Sequence, residues 1–124
     1  MKRKTNVLLL LSILALSGCD SAATSISPES DNTNLIVCSD DNKQGKYKGQ
    51  NNKIVLDLSI ESDKSAKYTG HGERAFVTTV CSREADAEER EFWALYVDNK
   101  FAQKGAGALE TNDSMLIGWK LEKY

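Results

Sequence analysis

The 124-residue chain contains little of the chemistry that enzymes use most often. It has one histidine, His71, which stands between two glycines, and it has no Gly-x-Ser-x-Gly motif and no glycine-rich phosphate-binding loop. The three cysteines include no Cys-x-x-Cys pair, so a structural zinc site is not expected either. The sequence therefore predicts a protein that is not an enzyme and that holds no metal and no cofactor.

Long hydrophobic runs are also missing, apart from a short one near the N-terminus. Residues 7–16 are apolar except for Ser12, and they follow three positive charges at residues 2–4. Such a run is too short for a transmembrane helix but is typical of a secretory signal peptide. It leads into Leu16-Ser17-Gly18-Cys19, which resembles the lipobox of bacterial lipoproteins. The alternative is an ordinary cleaved signal peptide with a cysteine there by chance.

The lipobox resemblance implies that residues 1–18 are removed and that Cys19 is lipidated. In that family the thiol receives a diacylglycerol and the new amino group is acylated, and several acyl chains suffice to anchor a small domain in a bilayer. The mature protein would then face the periplasm of a bacterial cell envelope. Asp20 resembles the signal that retains enterobacterial lipoproteins in the inner membrane, which favours that membrane over the outer one.

The mature chain is acidic. Removing residues 1–18 takes away three positive charges and moves the formal net charge from −2 to −5. Nucleic-acid binding requires a basic surface, so a nucleic-acid partner is not expected. An acidic domain is instead suited to a basic protein partner.

Two cysteines, Cys38 and Cys81, remain after Cys19 is assigned to the lipid. In an oxidising periplasm the simplest expectation is one disulfide between them, closing a loop of 44 residues. The alternative is two reduced cysteines buried in the core.

The rest of the mature chain divides into a tether and one domain. Residues 19–34, which include Pro28, are rich in Ser, Thr, Asn and Asp and predict a lipidated N-terminus followed by a flexible tether. Residues 35–124 contain short β-branched and aromatic segments separated by turn residues, which predicts an all-β domain of seven or eight short strands in a small antiparallel barrel or sandwich.

Two segments of this domain carry specific expectations. The clearest alternation places Ile54, Leu56, Leu58 and Ile60 on one face, which predicts a strand. The charged run at residues 83–91 is consistent with one or two turns of helix or with a solvated loop, and the sequence leaves that choice open.

One short motif resembles the membrane-bound inhibitors of c-type lysozyme. Tyr96, followed by Lys104, Gly105 and Ala108, is similar to the second half of the family's Ser-Gly-x-x-Tyr and Lys-Gly-x-x-Ala pattern. The resemblance implies an antiparallel barrel whose Lys-Gly loop enters the lysozyme cleft, where the lysine meets catalytic carboxylates. Phe92 and Trp93 stand where the family has Ser-Gly, so the family's functional serine has no counterpart.

The function expected from the sequence is therefore a membrane-anchored protein-binding module, with lysozyme inhibition as its most specific form. An immunity lipoprotein, or one that excludes phage or plasmids, would have a similar composition. A secretion-system assembly lipoprotein of the pilotin type is the third alternative, and Asp20 argues against it because a pilotin must reach the outer membrane.

Overall fold

The structure is a computed structural model that describes residues 34–124, which form one compact unit. The predicted signal peptide, Cys19, Asp20 and the tether up to residue 33 lie outside the described residues. The described part contains ten strands and one α-helix: β1 (Val37–Cys38), β2 (Gln44–Lys48), β3 (Lys53–Ile54), α1 (Val55–Ser62), β4 (Lys67–Thr69), β5 (Phe76–Val80), β6 (Arg83–Glu84), β7 (Glu91–Val97), β8 (Lys100–Phe101), β9 (Glu110–Thr111) and β10 (Leu116–Lys123). Two single turns of 3₁₀ helix lie at Gly72–Arg74 and Ala87–Glu89. The expected all-β class with antiparallel strands is confirmed.

The largest sheet has five strands in the order β1-β2-β10-β7-β8, all antiparallel. Because side chains alternate along each strand, one face of this sheet is apolar and points into the domain. The residues that this inner face buries are Tyr47, Trp93, Leu95, Ile117 and Trp119. The outer face carries the intervening residues, such as Lys46, Tyr96 and Lys120.

The remaining strands form two smaller sheets. β3 pairs with β9, and β4, β5 and β6 form a three-stranded sheet in that order. The indole nitrogen of Trp93 donates a hydrogen bond of 2.9 Å to the Arg83 carbonyl, which connects the five-stranded sheet to β6.

The predicted strand over residues 54–60 is wrong, because α1 occupies Val55–Ser62. The buried positions are Val55, Leu56, Leu58, Ser59 and Ser62, which have the spacing of one helix face rather than of a strand. Two of them are serines, so the helical period is hidden when only apolar residues are counted. No helix in the described residues is long and apolar enough to cross a membrane.

A buried hydrogen-bonded group joins α1 to the five-stranded sheet. The Ser59 hydroxyl donates to the Val55 carbonyl at 2.8 Å and bonds the hydroxyl of Tyr47. The Trp119 indole N–H lies 3.2 Å from both hydroxyl oxygens. Burial raises the pKa of Tyr47 to about 12, because the core disfavours the phenolate.

The predicted disulfide between Cys38 and Cys81 is confirmed, with the two Cα atoms 5.9 Å apart. It links β1 of the five-stranded sheet to the tight turn between β5 and β6. Gly45 of β2 pairs with Cys38 of β1, and a Cβ at Gly45 would lie 2.8 Å from the Cys81 sulfur. The glycine therefore provides the space through which the disulfide passes.

The turn between β5 and β6 is strained and is held by a buried carboxylate. Cys81 and Ser82 both have positive φ, 53° and 61°, which non-glycine residues rarely adopt. The Asp63 carboxylate accepts the Cys81 N–H at 2.7 Å, and it also accepts the hydroxyl of Ser65, whose oxygen accepts the Ser82 N–H. Asp63 and the disulfide together hold this conformation.

The structure resolves the charged run that the sequence left open. Residues 83–91 contain β6, one turn of 3₁₀ helix at Ala87–Glu89 and the first residue of β7. Asp86 caps that turn by accepting the backbone N–H groups of Glu88 and Glu89. Arg83 donates twice to the Glu91 carboxylate, at 2.9 and 3.1 Å.

Candidate functional site

An apolar cleft opens between the five-stranded sheet and the start of β5. Its volume is about 280 Å³. Its mouth is formed by Phe76, Phe101 and Lys104, which are exposed, and its floor contains Trp93 and Trp119, which are buried. The other lining residues are Ala75, Val77, Phe92, Ala94, Leu95, Ala102, Gln103, Gly105 and Ala106. We call this feature the aromatic cleft.

The cleft exists because β8 is too short to cover β7. Asp98 and Asn99, both with positive φ, form a tight hairpin turn, and β8 then pairs with only the last two residues of β7. The Ala102 N–H still donates to the Leu95 carbonyl at 2.9 Å, after which the chain leaves the sheet. The edge of β7 at residues 92–95 is therefore not covered by β8 and is open toward β5.

The Lys104-Gly105 segment is a bent loop that is fixed at its base. Ala106 is only 4% exposed, and its carbonyl accepts the Leu56 N–H at 2.9 Å. A Cβ at Gly107 would lie 1.9 Å from the Gly72 carbonyl oxygen, so only glycine permits the contact between these two loops. The loop presents Lys104 from an anchored backbone.

A second concavity, of about 400 Å³, lies on the other side of the same segment. It is lined by Val97, Leu109 and residues 100–104. Residues 101–104 therefore form a ridge between two apolar depressions, with Phe101 contributing to both.

Tyr96 lies on the outer face of the sheet, apart from the residues that line the cleft. Its hydroxyl donates to the Glu122 carboxylate, and this hydrogen bond raises the pKa of Tyr96. The ammonium of Lys120 sits 4.4 Å from the Tyr96 ring centroid, and the Phe101 ring packs edge-on at 5.7 Å. Phe101 thus connects Tyr96 with the cleft.

The structure places the predicted site residues in three settings. Lys104 and Gly105 line the aromatic cleft, and Tyr96 reaches it only through Phe101. Ala108 is half-buried behind the loop, where its N–H donates to the Gly105 carbonyl at 3.0 Å.

Sequence reasoning missed Phe76 as a site residue. It is 51% exposed and stands across the cleft from the loop. The signal in the sequence was the position of Phe76 next to Val77 in a β-strand. Neighbouring side chains of a strand point to opposite faces, and because Val77 is buried, Phe76 points away from the side that Val77 occupies.

The chemistry that the cleft offers is burial of an apolar group beside one cation. Lys104 is the only charged residue of its lining. A volume near 300 Å³ is at the lower end for small-molecule sites and fits a few side chains of a partner. The described residues contain no group of three or more His, Cys, Asp or Glu placed to hold a metal ion.

The fold and this cleft define a small disulfide-linked antiparallel β domain with an apolar surface site. Residues 50–123 match the family described as Domain of unknown function (DUF4430), and because the match covers more than half of the chain, the chain belongs to that family. The matched residues include α1 and the whole cleft, whereas Cys38 precedes them. No curated protein and no solved structure matches the chain.

Proposed function

We propose that the protein is a lipid-anchored, periplasm-facing lipoprotein whose domain binds a protein partner at the aromatic cleft. The observation that carries this proposal is the pair of phenylalanines at the mouth of the cleft. Phe76 and Phe101 are 51% and 57% exposed, although both adjoin a buried aromatic floor. Exposed aromatic side chains grouped around a concavity are typical of protein-binding sites.

The fixed backbone of the loop supports a binding role. Ala106 and Gly107 are held by the core and by Gly72, so a partner would not have to order this segment when it binds. Lys104 projects from this base at the rim of an apolar surface, where a carboxylate of the partner could pair with it. The partner best suited to the site combines an apolar side chain with an adjacent acidic group.

The most specific form of the proposal is inhibition of c-type lysozyme. Lys104 and Gly105 are exposed at the tip of a bent loop, as the resemblance to the lysozyme inhibitors requires. The net negative charge of the mature chain also complements a basic enzyme.

The direct test is the rate at which c-type lysozyme lyses cell walls in the presence of the purified mature protein. We expect slowing at micromolar protein and at least about a tenfold weaker effect for Lys104→Ala, as for loss of a central interface residue. The matched control is Lys67→Ala, because Lys67 is exposed on β4 and does not line the cleft. Unchanged lysis at micromolar protein would exclude lysozyme as the partner.

A second experiment tests the cleft without assuming which partner it binds. Envelope extracts are captured on the mature protein and on Phe76→Asp, which places a charge at the mouth of the cleft. The proposal predicts a protein retained by the wild type and lost by the variant, while Tyr68→Asp, at an exposed site of β4, retains it. Equal capture by all three proteins would show that the cleft is not the binding site.

A further inference from the structure

The outer face of the five-stranded sheet is basic, although the domain is acidic. Three lysines, Lys46, Lys48 and Lys120, occupy outward positions of β2 and β10, and Glu122 is the only acidic residue among them. Residues 34–124 as a whole contain 13 Lys and Arg and 15 Asp and Glu. Positive charge is therefore concentrated on a face whose surroundings are negative.

The same face carries exposed apolar side chains beside the lysines. The pairing register places Val37, Lys46, Gly118, Tyr96 and Phe101 in one row across the five strands. Val37 is 73% exposed and Phe101 is 57% exposed.

We infer that this outer face rests on an anionic lipid bilayer. Lysines next to aromatic and aliphatic side chains are the combination that binds the interface of such membranes. Each lysine close to an anionic surface strengthens binding by about fivefold. Lys120 is held over the Tyr96 ring beside Glu122, so Lys46 and Lys48 supply most of the effect, about 25-fold together. A net acidic domain would otherwise be repelled by that surface.

The place where the tether joins the domain supports a bilayer as the partner of the outer face. This part of the inference rests on the proposed lipid anchor. Fifteen residues, 20–34, separate Cys19 from the first strand region, which limits the domain to roughly 50 Å from the membrane. The side-chain amide of Asn34 bonds the backbone N–H and carbonyl of Lys48, so the chain enters the domain beside this face. Confinement near the bilayer raises the effective concentration of the face at the lipid surface.

The test is amine labelling of the full lipoprotein on vesicles, read out for each lysine by mass spectrometry. On vesicles containing phosphatidylglycerol, we expect Lys46 and Lys48 to react several-fold more slowly than on pure phosphatidylcholine vesicles, and high salt should restore their rates. Lys64 and Lys67, which are exposed outside this sheet, should react equally on both. Equal rates at Lys46 and Lys48 on the two lipids would overturn the inference.

A charge variant and a flotation assay separate this inference from the anchor itself. Failure of the protein to float with phosphatidylcholine vesicles would refute the anchor but not the basic face. In that case flotation with phosphatidylglycerol vesicles tests the basic face. The double variant Lys46→Gln/Lys48→Gln should no longer float with these vesicles, whereas the control double variant Lys64→Gln/Lys67→Gln should still float. Equal flotation of both double variants would refute the basic face as the docking surface.

Discussion

Replacing Tyr47 by phenylalanine should reverse the order of stability of the two proteins at alkaline pH. The Tyr47 hydroxyl is buried among Ser59, Trp119 and the Val55 carbonyl. In Tyr47→Phe the Trp119 N–H keeps the Ser59 hydroxyl as an acceptor at 3.2 Å, so no buried donor loses its last partner. The cost at neutral pH should therefore be about 1 kcal/mol, the usual net value of one hydrogen bond.

The alkaline effect follows from the pKa of Tyr47, which burial raises from 10.0 to about 12. The folded state holds the phenolic proton more tightly than the unfolded state, so the stabilisation that comes from this proton is fully present below pH 10. It is lost as the pH rises from 10 to 12, and two pKa units amount to about 3 kcal/mol of unfolding free energy. The phenylalanine variant has no such loss, and the two stability curves should cross at about pH 11.

The measurement is urea unfolding followed by tryptophan fluorescence at several pH values, with the disulfide intact. The quantity of interest is the difference in unfolding free energy between wild type and variant, because lysine deprotonation affects both proteins alike. Tyr124→Phe, at an exposed position, controls for removal of a phenol as such. Parallel curves from pH 9 to pH 12 would show that Tyr47 is not buried as described.

Three further substitutions test other parts of the core. Replacing Cys38 and Cys81 together by serine should lower the unfolding free energy by about 4 kcal/mol, the entropic value for a loop of this length, and a loss below about 1 kcal/mol in chemical denaturation would contradict that mechanism. Thr79→Val should raise the thermal midpoint, because the buried Thr79 hydroxyl has no hydrogen-bond partner among residues 34–124 and its removal relieves about 1 kcal/mol; a lower midpoint would show that the hydroxyl is hydrogen-bonded in the folded protein. Asp63→Ala should cost about 3 kcal/mol in urea unfolding, since the strained turn at Cys81 loses its acceptor, and an unchanged midpoint would refute that role.

Strands whose burial follows their own alternation could be predicted from the sequence. β10 is the clearest case, because its apolar residues Ile117, Trp119 and Leu121 alternate in the sequence and are directed inward in the structure. The disulfide could also be predicted, because that prediction needed only the expected lipidation of Cys19, which leaves two cysteines, and the expected oxidising compartment. Ten strands are present in the described residues rather than seven or eight, since pairs as short as β3 with β9 leave little pattern in a sequence.

The helix and the cleft depend on contacts between distant segments. Ser59 belongs to the buried face of α1 because Tyr47 and Trp119 meet its hydroxyl, and nothing local to Ser59 indicates those partners. The loop at Lys104 was recognisable from its two glycines. Phe76 joins that loop in one site only because β5 and β7 belong to different sheets that face each other, which local periodicity does not encode.

The position of the disulfide determines how the domain responds to pulling from its N-terminus. Force applied at Asn34 would reach β1. This strand pairs with β2 through only two residues, so it would separate from β2 one residue pair at a time. Four residues after Asn34, however, Cys38 passes the tension through a covalent bond to Cys81, between β5 and β6. The load is thereby transferred past the two-residue pairing of β1 with β2 into a second sheet, so the domain can be pulled from Asn34 without its first strand being peeled away.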